Sequence, residues 1–364
     1  RLVGSEMCIR DSSITLFIGC FLIPNKAMAL PYEIKWQENN LCISIDDTEC
    51  SNLILICNEI FGASNFVANV SWQRTYSPRN DSKGIVSEVE HLVVFSKNPG
   101  WQPNKLPRTE AMDSRYKNPD NDVAPWKSSD AFAPGAATHQ GMVYAIQHPF
   151  TGEMLYPSNG RCWRYQQSSM LEYMQGWCNY RLENLHDEKE RARVCGIDES
   201  AVRKDVLAIV LEEPLEVSAA KAQKVYNRGR WPGFYFTKGG YGGIARKTYL
   251  ENVGGRLPTN LWMYEETGHT DEAKKELISL FGGRSPFDTP KPTRLLDFVL
   301  KVAGTSETLM LDSFAGSGTT AHAVLNANKA DNGNRHFILI EMMDYADSIT
   351  AERVKRVIRG YGEG

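Results

Sequence analysis

The stretch Leu311-Asp-Ser-Phe-Ala-Gly-Ser-Gly-Thr-Thr320 constrains this chain more than any other. Apolar and β-favouring residues from Thr308 to Leu311 run into an acid, then a Gly-x-Gly turn, then Thr319 and Thr320 at the head of an Ala-rich run that reads as helix to about Asn328. That is a strand, a tight turn and a helix start. Gly316 and Gly318 let the backbone adopt conformations that a Cβ forbids and approach a ligand closely. The helix N-terminus behind them favours electronegative groups. A lone Gly-x-Gly would fit an ordinary βα turn better than a binding loop. Here a second strand, His336-Phe-Ile-Leu-Ile340, begins sixteen residues after Thr320 and runs into Glu341. An acid at a strand's carboxyl end can accept both ribose hydroxyls of a nucleoside ligand. The interval from Asp312 to Glu341 exceeds the usual spacing of about 20 residues, and Lys329-Ala-Asp-Asn-Gly-Asn-Arg335 reads as the surface loop that takes up the excess.

With 364 residues, 42% hydrophobic and 23% charged, the chain is globular and long enough for two lobes. Its net charge of −3 leaves no global basic footprint, so any nucleic-acid surface must be local. Eight cysteines form no C-x-x-C pair and seven histidines form no cluster with ligand spacing. Reduced thiols in a cytoplasm and no metal are the expectation.

Residues 1–12 have no periodicity and no initiating Met, and are set aside as read-through at the end of an assembled sequence. Ile14 to Ile23 is a ten-residue apolar run before Lys26-Ala-Met-Ala29, which looks like a signal peptide with its cleavage site. Nothing downstream points to secretion, and ten residues cannot span a bilayer. A frameshifted or misassembled start over residues 1–40 is expected instead.

From Leu41 the pattern becomes regular. Leu41-Cys-Ile-Ser-Ile45 is a short strand closed by Asp46 and Asp47, and Asp47 or Thr48 can cap a helix running to about Phe61 with Leu53, Ile56 and Ile60 on one face. Two acids ending a strand fit a helix cap beside a ligand crevice better than an acid/base pair. Phe66 to Trp72 and His91 to Lys97 read as two strands pairing as an antiparallel edge ribbon on a parallel sheet. Residues 98 to about 140 form a long Pro-, Asn- and Asp-rich connection. Beyond it, Met142 to Gln147, Arg161-Cys-Trp-Arg164 and an amphipathic segment from Met170 to Ala192 follow, and the charge run Asp187 to Arg193 reads as a solvated helix face. Trp231-Pro-Gly-Phe-Tyr-Phe236 and Lys238-Gly-Gly-Tyr-Gly-Gly243, with Arg246 and Lys247, suit either base stacking along a nucleic-acid backbone or an ordinary aromatic core. The chain then returns to α/β texture, with a helix over 271–281 and an amphipathic helix over 294–302. Phe287-Asp-Thr-Pro-Lys-Pro-Thr293 precedes the second of these, and its prolines fix an extended lead-in beside the Gly-x-Gly turn.

Several of these segments together resemble the modification subunit of type III restriction–modification systems. They are Asp312-Ser-Phe-Ala-Gly-Ser-Gly-Thr-Thr-Ala-His-Ala-Val324, the Thr-Pro-Lys-Pro before it, Gly268-His-Thr-Asp-Glu-Ala-Lys-Lys-Glu-Leu277, the Phe-Ile-Leu-Ile-Glu after it and Ile349-Thr-Ala-Glu-Arg-Val-Lys-Arg-Val357. Cys42-Ile-Ser-Ile-Asp-Asp-Thr-Glu-Cys-Ser-Asn-Leu53, Asn58-Glu-Ile-Phe-Gly62 and Trp72 to Asn80 resemble the same family's segments after its catalytic motif. The likeness covers about residue 38 to the end.

The resemblance implies an α/β, Rossmann-like S-adenosylmethionine-dependent methyltransferase fold with a mixed sheet and an inserted target-recognition domain. Residues 41–100 and 266–364 would form the methyltransferase domain, and 101–265 the insert. It implies adenine-N6 methylation of duplex DNA, with S-adenosyl-L-methionine as cofactor. The partners would be a translocating restriction subunit and a second copy in a homodimer, with no membrane. Asp312, Phe314, Gly316, Gly318 and Thr319 would form the cofactor loop, Glu341 would hold the ribose, and Thr289, Lys291 and Pro292 would close the site from the other side. Arg74, Arg79, Lys83, Arg161, Arg164, Lys238 and Arg246 are the candidate DNA contacts.

One departure matters. The family's Asp-Pro-Pro-Tyr motif is absent, and Leu30-Pro31-Tyr32 is a superficial echo too close to the Cys42 strand. An adenine amine is a poor nucleophile, and the motif supplies acceptors for its protons and an aromatic face for the flipped base. The catalytic residues are therefore unknown, and the chain as written is expected to bind cofactor weakly or not at all and to transfer no methyl. The missing strand would sit between the Ile45 and Asp312 strands, a slot that the run Ile14 to Ile23 could fill. From the residues alone a nicotinamide- or flavin-type enzyme stays open, since Ala321 at the third position of G-x-G-x-x-G is allowed. So do a non-catalytic DNA-binding subunit and a cytosine-N4 methyltransferase.

Overall fold

The computed structural model describes residues 17–24, 40–77, 84–97 and 99–361. The chain divides into two compact units, one built from 1–107 with 256–364 and the other from 108–255.

The first unit is organised on a seven-stranded mixed sheet. Its strands are β1 (Phe17–Pro24), β2 (Asn40–Ile45), β3 (Phe66–Gln73), β4 (Val89–Ser96), β5 (Leu261–Trp262), β6 (Thr308–Asp312) and β7 (His336–Leu339), in the spatial order β5-β3-β4-β2-β1-β6-β7. β6 and β7 are parallel, as are β5 and β3, while β1 and β4 run against their neighbours on both sides. β1 occupies the slot between β2 and β6 that the sequence left for the apolar run, with Phe21 in register with Leu311 on one side and Leu41 on the other. Because it is antiparallel to both, its carboxyl end lies at the edge away from Asp312.

The longer helices of this unit among the described residues are α1 (Cys50–Phe61), α2 (Thr270–Phe281), α3 (Thr293–Ala303), α4 (Thr319–Asp331) and α5 (Glu352–Arg359), with one further short turn at Tyr264–Thr267. α3 buries Leu295, Phe298, Val299 and Val302 against Cys42, Val70 and Val94 of the sheet and against Trp72 and Trp262. Each such side chain contributes about 1.5–3 kcal/mol on leaving water. α4 buries Ala323 and Val324 against Met310, which places the helix N-terminus at the carboxyl end of β6.

Three local expectations are corrected. β3 and β4 do pair, but β4 also pairs with β2 and β3 carries β5 outside it, so they form an interior pair rather than an edge ribbon. Helix α1 starts at Cys50 after Glu49 with no side-chain cap, because Asp47 is held by His91 at 2.7 Å and Ser87 at 2.8 Å. Its inward stripe is Cys50, Leu53, Ile54 and Cys57, leaving Ile56 and Ile60 46% and 66% exposed. The segment 170–192 is not one amphipathic element: helix Gln167–Gln175, strand Tyr180–Glu183 and helix Glu188–Cys195 share it. Arg191 in its charge run is buried against Asp187 at 2.8 Å rather than solvated.

The second unit packs Trp126, Trp163, Trp177, Phe234, Tyr235 and Phe236 into one core. Strands Trp126–Asp130, Phe234–Phe236 and Ile244–Tyr249 form an antiparallel sheet over it. The aromatics of 231–236 are therefore largely core residues, and in the glycine-rich stretch Tyr241 alone is a well-exposed ring, at 64%.

Candidate functional site

The carboxyl ends of β6 and β7 lie side by side, with Asp312 in register with Leu339. After β6 the chain turns through Gly316 and Gly318, both at positive φ (51° and 77°), and α4 begins at Thr319. The turn is tied to the β7 end twice, by Ala315 N–H on Ile340 O at 3.0 Å and by Gly316 N–H on a Glu341 carboxylate oxygen at 2.8 Å. The other Glu341 oxygen accepts the Met343 amide at 3.0 Å. Asp312 is buried and accepts the Thr320 hydroxyl at 2.6 Å and the Phe314 amide at 3.2 Å. Burial raises its pKa above the usual carboxylate value, and those two donors oppose the rise.

The segment 287–292, bent over 287–289 rather than extended throughout and extended at Pro292 ahead of α3, reaches this turn from another direction. Thr319 donates its hydroxyl to Lys291 O at 3.2 Å, and Phe287 packs edge-on to Tyr345 with ring centroids 5.4 Å apart. The Lys291 ammonium is buried beside Glu90 and stands 5.0 Å from the centre of the Trp72 ring. Burial lowers its pKa while Glu90 pulls it back up. Glu90 also pairs with Arg74 at 3.1 Å.

Beneath the glycine turn lies a buried polar hub. The Arg353 guanidinium touches Ser317, Thr319, Thr293, His322 and Glu276 at 2.8–3.5 Å. His322 accepts from Arg353 through Nδ1 and meets the Tyr361 hydroxyl through Nε2 at 2.9 Å, so the neutral ring carries its proton on Nε2. Burial first, and the Arg353 charge second, push its pKa down to about 3. Glu276 also lies 3.5 Å from His322 Nδ1, but the ring is neutral and this is no ion pair.

A carboxylate with two backbone amides, a glycine turn, and the exposed apolar groups Phe314 (38%), Ile340 (51%) and Met342 (86%) beside them are the surfaces that a nucleoside needs. The residues present fit such a group. Thr289 is exposed, and Pro292 is buried at the start of α3.

The candidate DNA contacts separate. Arg74 belongs to the seven-stranded unit and is half-exposed beside Glu90, whereas Arg79 and Lys83 lie outside the described residues. In the other unit Arg161 pairs with the Asp130 carboxylate at 2.5 Å and Arg164 donates to the Asp130 backbone carbonyl at 3.2 Å, so the two converge on one residue through different groups. Lys238 is exposed at the start of a glycine-rich turn. Arg246 is half-buried, and Lys247 next to it is fully buried between Asp120 and Asp122.

A profile of the DNA methylase family matches residues 27–352. The chain belongs to this family. Its match starts earlier than the motif likeness, which begins at about residue 38. Among curated methylases the chain is 29% identical over 332 residues to the type III restriction-modification enzyme StyLTI Mod subunit of Salmonella typhimurium, covering 86% of the chain and 41% of that protein. It is 26% identical over 308 residues to the type II methyltransferase M.KpnI of Klebsiella pneumoniae (83% of the chain, 61% of that protein). To the EcoP15I Mod subunit of Escherichia coli it is 23% identical over 349 residues (90% and 46%). The chain thus spans about half the length of the relatives it matches.

Sequence reasoning missed several residues that build this site. Glu90 and Trp72 hold Lys291, Thr350 donates its hydroxyl to Gly316 O at 2.5 Å, and Arg353 organises the buried hub. Arg353 lies in one of the family-like segments, but among Lys355, Arg356 and Arg359 nothing in sequence marks the one arginine that turns inward. Spacing held a weak signal, since Thr350 and Arg353 are three apart and share a helical face.

Proposed function

We propose that the seven-stranded unit is a Rossmann-like S-adenosylmethionine site and that residues 108–255 read the target. Together they serve a methylase of the type III modification class that acts on adenine N6 in duplex DNA. The contact between the Gly316 amide and the Glu341 carboxylate at adjacent strand ends carries this reading. In this reading Glu341 accepts ribose hydroxyls, and the turn from Asp312 to Thr319 gives close backbone approach. Phe314 and Met342 offer apolar surface to a base, and Thr289, Lys291 and Pro292 line the opposite side. When bound, the cofactor supplies a sulfonium-activated methyl group. Arg74, Arg79, Lys83, Arg161, Arg164, Lys238 and Arg246 are the proposed DNA contacts. Duplex DNA, a restriction subunit and a second copy are the proposed partners, in the cytoplasm. No helix among the described residues is long and apolar enough to cross a membrane.

The sequence contains no Asp-Pro-Pro-Tyr. No such tetrapeptide is there to hold the protons of a target amine, so this chain binds cofactor weakly and does not complete methyl transfer. Equilibrium dialysis with labelled S-adenosylmethionine, wild type against Glu341→Ala, tests the binding half, and incubation with duplex DNA tests the transfer half. Weak saturable binding that Glu341→Ala abolishes, with no labelled DNA, is expected. Binding indifferent to Glu341 would sink the cofactor site, and labelled DNA would sink the inactivity.

A further inference from the structure

We infer that Arg353 is a positioning residue that fixes the glycine turn against the start of α3, and so sets the spacing between the two sides of the proposed nucleoside site. The inference rests on the cofactor reading for what the spacing is for. Its geometry does not depend on that reading. Arg353 is fully buried. Its Nη1 donates to Thr319 Oγ1 at 2.9 Å, Ser317 Oγ at 3.1 Å and Ser317 O at 3.5 Å, which are the two residues either side of Gly318. Its Nη2 donates to Glu276 at 2.8 Å and to Thr293 Oγ1 at 3.1 Å, and faces His322 Nδ1 at 3.1 Å. One end of the guanidinium therefore holds the turn, and the other holds the first residue of α3, directly after Lys291 and Pro292. Thr319 closes the circuit through its own bond to Lys291 O.

The choice of arginine is informative. A planar fork presents donors at fixed angles and can serve both sides at once, whereas a lysine is a point charge on a flexible stem and serves one. A buried ion pair by itself adds little net stability over an apolar pair of the same volume. Arg353 is costlier still, because its Nε is buried with no partner among the described residues. Burial also draws its pKa down against Glu276. A group held at that cost, with one of its two terminal nitrogens spent on a glycine turn, is better accounted for by the geometry it imposes. The same segment contributes Thr350, whose hydroxyl holds Gly316 O and whose carbonyl would lie 3.0 Å from a Cβ at Gly318. Two side chains one turn apart thus brace the same three-residue turn.

The test is hydrogen–deuterium exchange on the full chain without ligand, comparing wild type with Arg353→Lys and Thr319→Val, alongside titration with S-adenosylhomocysteine. Selective acceleration of exchange across 313–321 by about tenfold or more, with the β2, β4 and 108–255 cores unchanged, is expected for both variants. Affinity for the probe should fall about tenfold, equivalent to roughly 1.4 kcal/mol. Exchange in 313–321 as slow as in wild type would overturn the inference, and so would uniform acceleration throughout the unit, which marks a merely structural residue. If Arg353→Lys does not fold, Thr319→Val, which keeps Arg353 and removes its turn-side acceptor together with that hydroxyl's own bonds to Lys291 O and Ser317, decides between these outcomes. If wild type does not bind the probe while 313–321 alone loosens, the positioning role stands and the cofactor reading falls.

Discussion

The Glu341 carboxylate accepts the Gly316 amide at 2.8 Å with one oxygen and the Met343 amide at 3.0 Å with the other. One side chain thus ties the end of β7 to the turn after β6, and its two oxygens serve two different backbone donors. Glu341→Gln keeps one acceptor oxygen and turns an N–H toward the other amide. A donor facing a donor loses a bond worth about 1–3 kcal/mol when partly buried. The expected outcome is a lower melting temperature without ligand and loss of whatever thermal protection S-adenosylmethionine gives to wild type. Unchanged protection in Glu341→Gln would show that the carboxylate does not meet the ligand.

Gly318 sits at φ 77°, and a Cβ there would lie 3.0 Å from the Thr350 carbonyl oxygen. Gly318→Ala therefore combines left-handed backbone strain of about 1–2 kcal/mol with a contact against backbone that cannot rotate away. A fall in melting temperature of several degrees is expected by calorimetry, at about 2–4 °C per kcal/mol for a unit of this size. A melting temperature equal to wild type would mean that the turn is looser than its geometry implies.

The two glycines, the strand before them and the acid after them were legible because backbone chemistry restricts what Gly-x-Gly can do between a strand and a helix. The order of β6, the turn, α4 and β7 follows from that pattern, and the amphipathic run over 294–302 foretold the helix Thr293–Ala303. The strand slot between β2 and β6 was also inferable, since a gap there would leave backbone groups unpaired. What the sequence hid was direction of burial. Ile56 and Ile60 share a helical face with Leu53, yet burial follows Cys50, Leu53, Ile54 and Cys57, a stripe rotated around the helix. Periodicity reports that a stripe exists and leaves its phase to the neighbouring sheet. The inward arginines Arg191 and Arg353 were hidden for a related reason, because an arginine in a charge run looks solvated until its carboxylate partner is located.

His322 gives the structure a pH signature. Its folded pKa is pushed down to about 3, while an unfolded histidine titrates near the ordinary 6.5. Between those values the unfolded chain takes up a proton that the folded chain refuses, so stability is lost as pH falls below 6.5, at about 1.4 kcal/mol per pH unit from this group. Asp312 acts differently: its folded pKa is raised, so the folded chain binds the extra proton above the usual carboxylate value. Its contribution declines as pH rises through that window. His322→Gln keeps an acceptor for Arg353 and cannot charge. Thermal melts between pH 4 and pH 7 are expected to show a shallower acid limb in His322→Gln than in wild type, and parallel limbs would refute the assignment.

Lys238 and Lys247 stand nine residues apart in the same aromatic and basic stretch, and they should respond to substitution in opposite ways. Lys238 is exposed, whereas Lys247 has no exposed side-chain surface and is clamped between Asp120 and Asp122 over the Trp126 ring. Lys247→Met leaves two acids without their cation, and breaking a buried pair in this way costs about 3–5 kcal/mol. The 108–255 unit should therefore unfold at a lower temperature, read by fluorescence of Trp126, Trp163 and Trp177, which belong to its core. Lys238→Gln should leave that transition in place. If Lys238 meets a phosphate, the slope of log affinity for duplex DNA against log salt should drop by about one unit in Lys238→Gln, with a similar loss for every sequence. A slope equal to wild type removes Lys238 from the proposed interface, and the same measurement on Arg164→Gln then decides whether the Asp130 corner of the unit faces DNA.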